Sequence, residues 1–238
     1  MSLANHAPRG VGELLDATFT LYRSNFATIL TVAMLVIVPP TVIKAIVPAE
    51  FERIVEVCGN LLVPMGQGAI TVIVAAAVER SERIGVGEAF QGIAGLGKSL
   101  LAVQIVSGLM VFIGIILLVV PGVIALAWTA VGVPVVVVEQ LGYSKAIERS
   151  RALARSHRGH VLGTLILAWL IALLIVVGLS IVFGMMGLAE GIVDFASEVM
   201  FAIVFPVPVI AMAFLYYDLR IRTESADIDA MISALPSV

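Results

Sequence analysis

The chain has 238 residues, a length that suits one domain or at most two. Hydrophobic residues make up 61% of it, charged residues only 13%, and mean hydropathy is +1.11. An ordinary soluble domain holds about 45–50% and about 25% of these classes, so the composition excludes a disordered chain, a disulfide-rich secreted domain and a typical soluble enzyme. The net charge of −3 gives no basic character for nucleic acid.

The opening residues MSLANHAPRG show no charged stretch leading into an apolar one, so no cleavable signal is expected and the first span directs insertion. A span needs roughly 20 apolar residues. Six are expected: Phe26 to Val47, interrupted by Pro39-Pro40; Leu61 to Val78; Leu100 to Val120; Pro121 to Val138; Val161 to Gly187; and Phe195 to Tyr217, bent by Pro206 and Pro208. The valine and isoleucine runs do not alternate, so barrel strands are rejected in favour of helices, which satisfy their own backbone in lipid. Pro121-Gly122 reads as the turn of a hairpin between spans three and four. Cys58, the lone cysteine, lies between spans one and two and can form neither an internal disulfide nor a cysteine-ligated zinc site.

With six spans, one side collects twelve lysines and arginines and the other two. The positive-inside rule then puts both termini and the basic loops in the cytoplasm.

An amphipathic segment precedes each odd-numbered span: Val11–Ser24, Val86–Ser99 and Tyr143–Arg158. The first fourteen residues of each align without gaps. Leu14, Ala89 and Ala146 fall together, then Leu21, Leu96 and Leu153, and each ends in a basic residue and a serine. The spacing gives helices with one apolar stripe, expected to lie in the headgroup layer with the stripe toward the acyl chains. The fold class is therefore all-α and polytopic, with three parallel repeats of one interfacial helix and two spans. The glycines at 92, 95 and 97 weaken the second copy.

Ordered polar punctuation adds a resemblance. Pro121-Gly122, Trp128, Pro134, Glu139, the Ala146/Arg149-Ser150 helix and Tyr216-Tyr217-Asp218-Leu219-Arg220, together with Gly12-Glu13-Leu14-Leu15-Asp16 and Leu21-Tyr22-Arg23, resemble the bacterial glycerophosphoryl diester phosphodiesterase membrane domain. The resemblance spans nearly the whole chain. It implies the bacterial cytoplasmic membrane and an association with phospholipid chemistry. It implies no activity here, because the residues after Arg222 are too few for a catalytic barrel of roughly 250 residues.

Catalytic motifs are not found. His157-Arg158-Gly159 matches only the opening letters of such barrels, and Gly92-x-x-x-x-Gly97-Lys98-Ser99 fits a phosphate loop in letters but follows no strand. His157 and His160 lie in basic surroundings that disfavour a metal, so no cofactor is expected. No charge lies near the centre of a span, unlike most ion-coupled transporters. Gln67, Gln104, Ser107, Thr129, Thr164 and Ser180 read as helix–helix hydrogen-bonding groups or tolerated small ones.

What remains is a cationic helix. Lys145, Arg149, Arg151, Arg155 and Arg158 are the candidate contacts for lipid headgroups, each basic group worth about 1 kcal/mol near an anionic surface. Asp218 with Arg220 and Arg222 is the candidate ion-pair cluster at the end of span six, with Arg149 or Arg151 as a further partner. The functional expectation is a non-enzymatic membrane protein that organises or handles lipid or partner proteins, with membrane phospholipid as partner. The alternative is a transporter or channel for a lipid-related or small solute. A homo-oligomer through Gly108 and Gly114 stays open.

Overall fold

The computed structural model describes residues 8–185 and 190–233. All regular structure among them is helical: α1 Val11–Ser24, α2 Phe26–Ile46, α3 Ala49–Ala75 with a π-turn at Ala76–Arg80, α4 Val86–Gly92, α5 Gly97–Leu117, α6 Val119–Thr129, α7 Gly132–Glu139, α8 Tyr143–Arg155, α9 Arg158–Met185, α10 Glu190–Val204 and α11 Pro206–Ser233. Six helical segments are long and apolar enough to cross a membrane: α2, α3 with its π-turn, α5, α6–α7, α9 and α10–α11. The last two positions of the expected fifth span, 186 and 187, lie outside the described residues.

Several boundaries differ from the sequence reading for identifiable reasons. Pro39 and Pro40 do not interrupt α2, which stays helical to Ile46. The helix of span two begins at Ala49, so a polar stretch carrying Glu50, Glu52, Arg53 and the exposed Cys58 extends the apolar part by about three turns. The hairpin between spans three and four breaks at Leu118, whose ψ of 145° is extended, and not at Pro121-Gly122. Pro121 instead sits in the first turn of α6, where the N–H it lacks would have no partner anyway. Gly122 serves the contact between the two arms: a Cβ on Gly114 would come within 2.7 Å of Gly122 backbone atoms. Gly114 is thus used inside the chain, while a Cβ on Gly108 would meet nothing within 4 Å.

The three lead-in helices share more than the expected stripe. Gly10, Gly85 and Gly142 are their N-caps, all extended, each carbonyl accepting the first helical hydrogen bond at 3.0 Å. In α1 and α4 the carboxylate of Glu13 or Glu88 accepts from the N-cap N–H, at 2.7 and 2.9 Å. The second copy stops at Gly92 and turns through Gly95, at φ +86°, before α5 starts.

Their stripes do not face acyl chains. Leu14, Ala89 and Ala146 are fully buried, as are Thr18, Ser150 and Leu153. Each lead-in helix packs on both spans of the unit before it: α4 on α3 and α2, α8 on α6–α7 and α5, and α1 on α11 and α9. The contacts therefore close in a ring. In its middle the even-numbered spans meet, α3 touching both α11 and α7, and α7 touching α11. Burial follows this order: half of the apolar windows of spans two and four and 72% of span six lie inside the protein, against 28%, 17% and 17% of the odd spans.

Span six is two helices. α10 ends at Val204 and α11 starts at Pro206, with Pro208 also in its first turn. The prolines remove donors from the junction. Tyr22 of α1 compensates, its hydroxyl donating to the Ile203 carbonyl at 2.6 Å. Burial pushes the Tyr22 phenol up to about 12, so it keeps that proton at neutral pH. The small polar groups inside spans mostly bond locally: Thr129, Thr164 and Ser180 each donate to the carbonyl four residues earlier, not across helices.

Gly114→Ala should destabilise the protein by about 1–3 kcal/mol in detergent unfolding, because backbone cannot give way as a side chain can. Gly108→Ala should stay within about 0.5 kcal/mol of wild type.

Candidate functional site

The polar groups gather at the end of the bundle that carries Arg9, Glu79, Glu139 and Arg222, and α11 organises them. Its residues 216–224 run Tyr-Tyr-Asp-Leu-Arg-Ile-Arg-Thr-Glu. Successive helical positions point about 100° apart, so these two and a half turns address three neighbours. Tyr217 donates to Glu79 at the end of span two, 2.8 Å. Tyr216 donates to Glu139 at the end of span four, 3.0 Å. Asp218, at the corresponding end of span six, accepts from the Arg9 N–H at 2.7 Å and from Arg222 at 2.6 Å. Arg222 also donates to the Arg9 carbonyl at 2.7 Å, which ties the entry of α1 to α11 from both sides.

The expected pair of Asp218 with Arg220 is therefore corrected. Residues two apart on a helix face away from each other, whereas four apart they are neighbours. Arg222 takes Asp218, whose side chain is only 2% exposed, and Arg220 takes Glu224 at 3.0 Å. Neither Arg149 nor Arg151 bonds Asp218. His160 stands 3.0 Å from the Asp218 carboxylate by its Nε2, at an angle that makes no hydrogen bond.

The five candidate headgroup contacts separate into three kinds. Arg149 is consumed by two ion pairs, with Glu139 and Glu224, both at 3.0 Å. Burial alone would lower its pKa, but the two carboxylates more than offset that and hold it above the ordinary value. Lys145 and Arg155 are exposed. Arg151 and Arg158 converge on Trp128 of α6, their guanidinium carbons 4.0 and 5.5 Å from the indole ring centre. Ser150 holds this geometry, donating to the Trp128 carbonyl at 2.7 Å and so pinning α8 to α6.

Around that indole the donors outnumber the acceptors. Trp128 Nε1 and Arg158 Nε are buried donors without a hydrogen-bond partner among the described residues. Two guanidinium groups share one ring, and neither forms an ion pair with a described carboxylate. Such an arrangement can accept an anion with several oxygens. It offers no nucleophile with a base, and among the described residues no three His, Cys, Asp or Glu side chains converge as metal ligands would.

The phosphate-loop letters serve packing. A Cβ at Gly92 would come within 2.7 Å of the Val72 side chain, and Gly97 lies beside Met65. The sequence alone did not reveal Glu139, Tyr216, Trp128 or the Arg9 main chain as parts of one polar assembly. Arg222 was within reach by its i,i+4 spacing from Asp218.

No protein-family model, curated protein or solved structure matches the chain.

A double-mutant cycle tests the pairing. Asp218→Asn and Arg222→Gln should couple by about 1 kcal/mol or more in unfolding free energy, and Asp218→Asn with Arg220→Gln by less than about 0.5 kcal/mol.

Proposed function

We propose that this multi-pass membrane protein organises or handles phospholipid in a bacterial cytoplasmic membrane, without enzymatic activity of its own. Both termini and the basic loops lie on the cytoplasmic side, as the asymmetry of lysine and arginine between the loops favours. One observation carries the reading: Arg151 and Arg158 share Trp128 with no described carboxylate to neutralise them, and the buried N–H groups of Trp128 Nε1 and Arg158 Nε have no described partner.

A lipid phosphate supplies what that cluster lacks. Its non-bridging oxygens accept from guanidinium and indole N–H groups, and its charge offsets two cations held near one ring. Lys145 and Arg155 on the exposed face of α8 extend the same surface. Arg149 plays no part in it, being committed to Glu139 and Glu224. The resemblance to the phosphodiesterase membrane domain belongs to this proposal and agrees with a phospholipid partner.

A transporter or channel is the weaker reading. Where the even spans meet, Ile70, Ile73, Val135, Val136, Ile210 and Leu215 are almost completely buried, so the centre is filled by packed aliphatic side chains.

Native mass spectrometry of the full chain with phosphatidylglycerol tests the proposal. Arg151→Gln and Arg158→Gln should each reduce retained lipid about fivefold, the factor carried by roughly 1 kcal/mol. Arg149→Gln should lower thermal stability and leave retention near wild type. Equal retention in all three variants would remove the α8 surface from the account.

A further inference from the structure

A second feature at the same end has a mixed charge character. A cleft of about 870 Å³ runs between α1, the π-turn Ala76–Arg80 and α11. That volume falls in the range of small-molecule sites, about 300–1,000 Å³. It lies where α1, having closed the ring onto α11, stands apart from the end of its own unit's second span.

The wall is apolar, formed by Leu14, Leu21, Val78 and Phe214. One side of the wall is a π-turn, an element rare in helices and frequent at functional sites. The rim is charged in a particular way. Two of its four ionic groups are already committed: Asp218 to Arg222 and the Arg9 N–H, and Glu13 to the Gly10 N–H. Two are not. The Arg9 guanidinium lies 5.8 Å from the Phe214 ring centre and makes no ion pair with a described carboxylate. The Asp16 carboxylate is exposed and has no cationic partner among the described residues.

One uncommitted cation and one uncommitted anion, above an apolar wall, match an amphiphile whose head carries both charges. We propose that this cleft binds a single zwitterionic phospholipid, its phosphate toward Arg9, its ammonium toward Asp16 and its acyl chain along Ala17, Val78 and Phe214. The proposal rests on the lipid-handling reading above and adds a headgroup selectivity to it. The α8 surface takes anionic lipid; the α1 cleft takes zwitterionic lipid and holds it against the helix that closes the ring.

The experiment is native mass spectrometry of the full chain offered phosphatidylethanolamine and phosphatidylglycerol in equal amounts. Arg9→Gln keeps the main-chain bonds of Arg9 to Asp218 and Arg222, so the closure of the ring survives it. Arg9→Gln and Asp16→Asn should each lower retained phosphatidylethanolamine about fivefold and leave retained phosphatidylglycerol unchanged. Ala17→Phe, which fills the cleft from α1, should do the same by volume alone. Unchanged phosphatidylethanolamine in all three variants would overturn the site, and an equal fall of both lipids would overturn the selectivity. Failure of the α8 reading looks different: phosphatidylglycerol then persists in Arg151→Gln and Arg158→Gln, whatever the cleft variants do.

Discussion

Six apolar helices in lipid have little reason to choose one neighbour over another, because acyl chains are as apolar as leucine. Here the choice is made where the even spans run out of membrane and end in acids. Glu79, Glu139 and Asp218 occupy equivalent positions, each closing the second span of its unit. All three carboxylates find donors on one stretch of α11, through Tyr217, Tyr216 and Arg222. This single stretch brings the three even spans together and fixes which helices form the middle. Of the three acids Asp218 is the buried one, so its charge-assisted bond is the strongest and the costliest to leave unmade.

The remaining architecture follows from that constraint. With the even spans central, the odd spans face lipid, and each lead-in helix folds back onto the unit before it. α1 closes the ring because Arg9 is held by both Asp218 and Arg222, and because Tyr22 reaches the carbonyl that the Pro206 junction leaves without a helical donor. Charges spent on this framework are unavailable for ligands, which explains why Arg149 and Arg220 are structural. Two groups of charges without a described ion pair lie at this end: Lys145, Arg151 and Arg155 of α8 with Arg158 at the start of α9, and Arg9 and Asp16 beside α1. The functional proposals rest on these two groups.

The sequence made the number of spans, their apolar limits and the three lead-in helices legible, because length and hydropathy act locally. It hid which spans are central, since the spans are apolar on every side and carry no stripe to point inward. It misplaced the hairpin because Pro121 and Gly122 have other uses, one as a first-turn residue and one as a contact surface for Gly114 and Ile115. It placed the stripes of α1, α4 and α8 toward acyl chains, since an amphipathic helix looks the same whether its apolar face meets lipid or protein. Among the site residues, Asp218 and Arg222 were legible as an ion pair, and only Arg220 was misplaced by adjacency. The bonds of Arg149 to Glu224, Tyr216 to Glu139 and Arg222 to Arg9 join residues 75 to 213 apart in the chain, which no local pattern encodes. The recurrent glycine N-caps at 10, 85 and 142 were a readable sign of the repeat.

The most direct test of the organising role of α11 is amide hydrogen exchange of the protein in lipid nanodiscs, comparing wild type with a Tyr217→Phe, Asp218→Asn double variant. Loss of about tenfold protection across Val11–Ser24, with α5 unaffected, is the expected result, since α1 would lose its hold on α11 while the Gly114–Gly122 hairpin would not. Wild-type protection of α1 in that variant would contradict it.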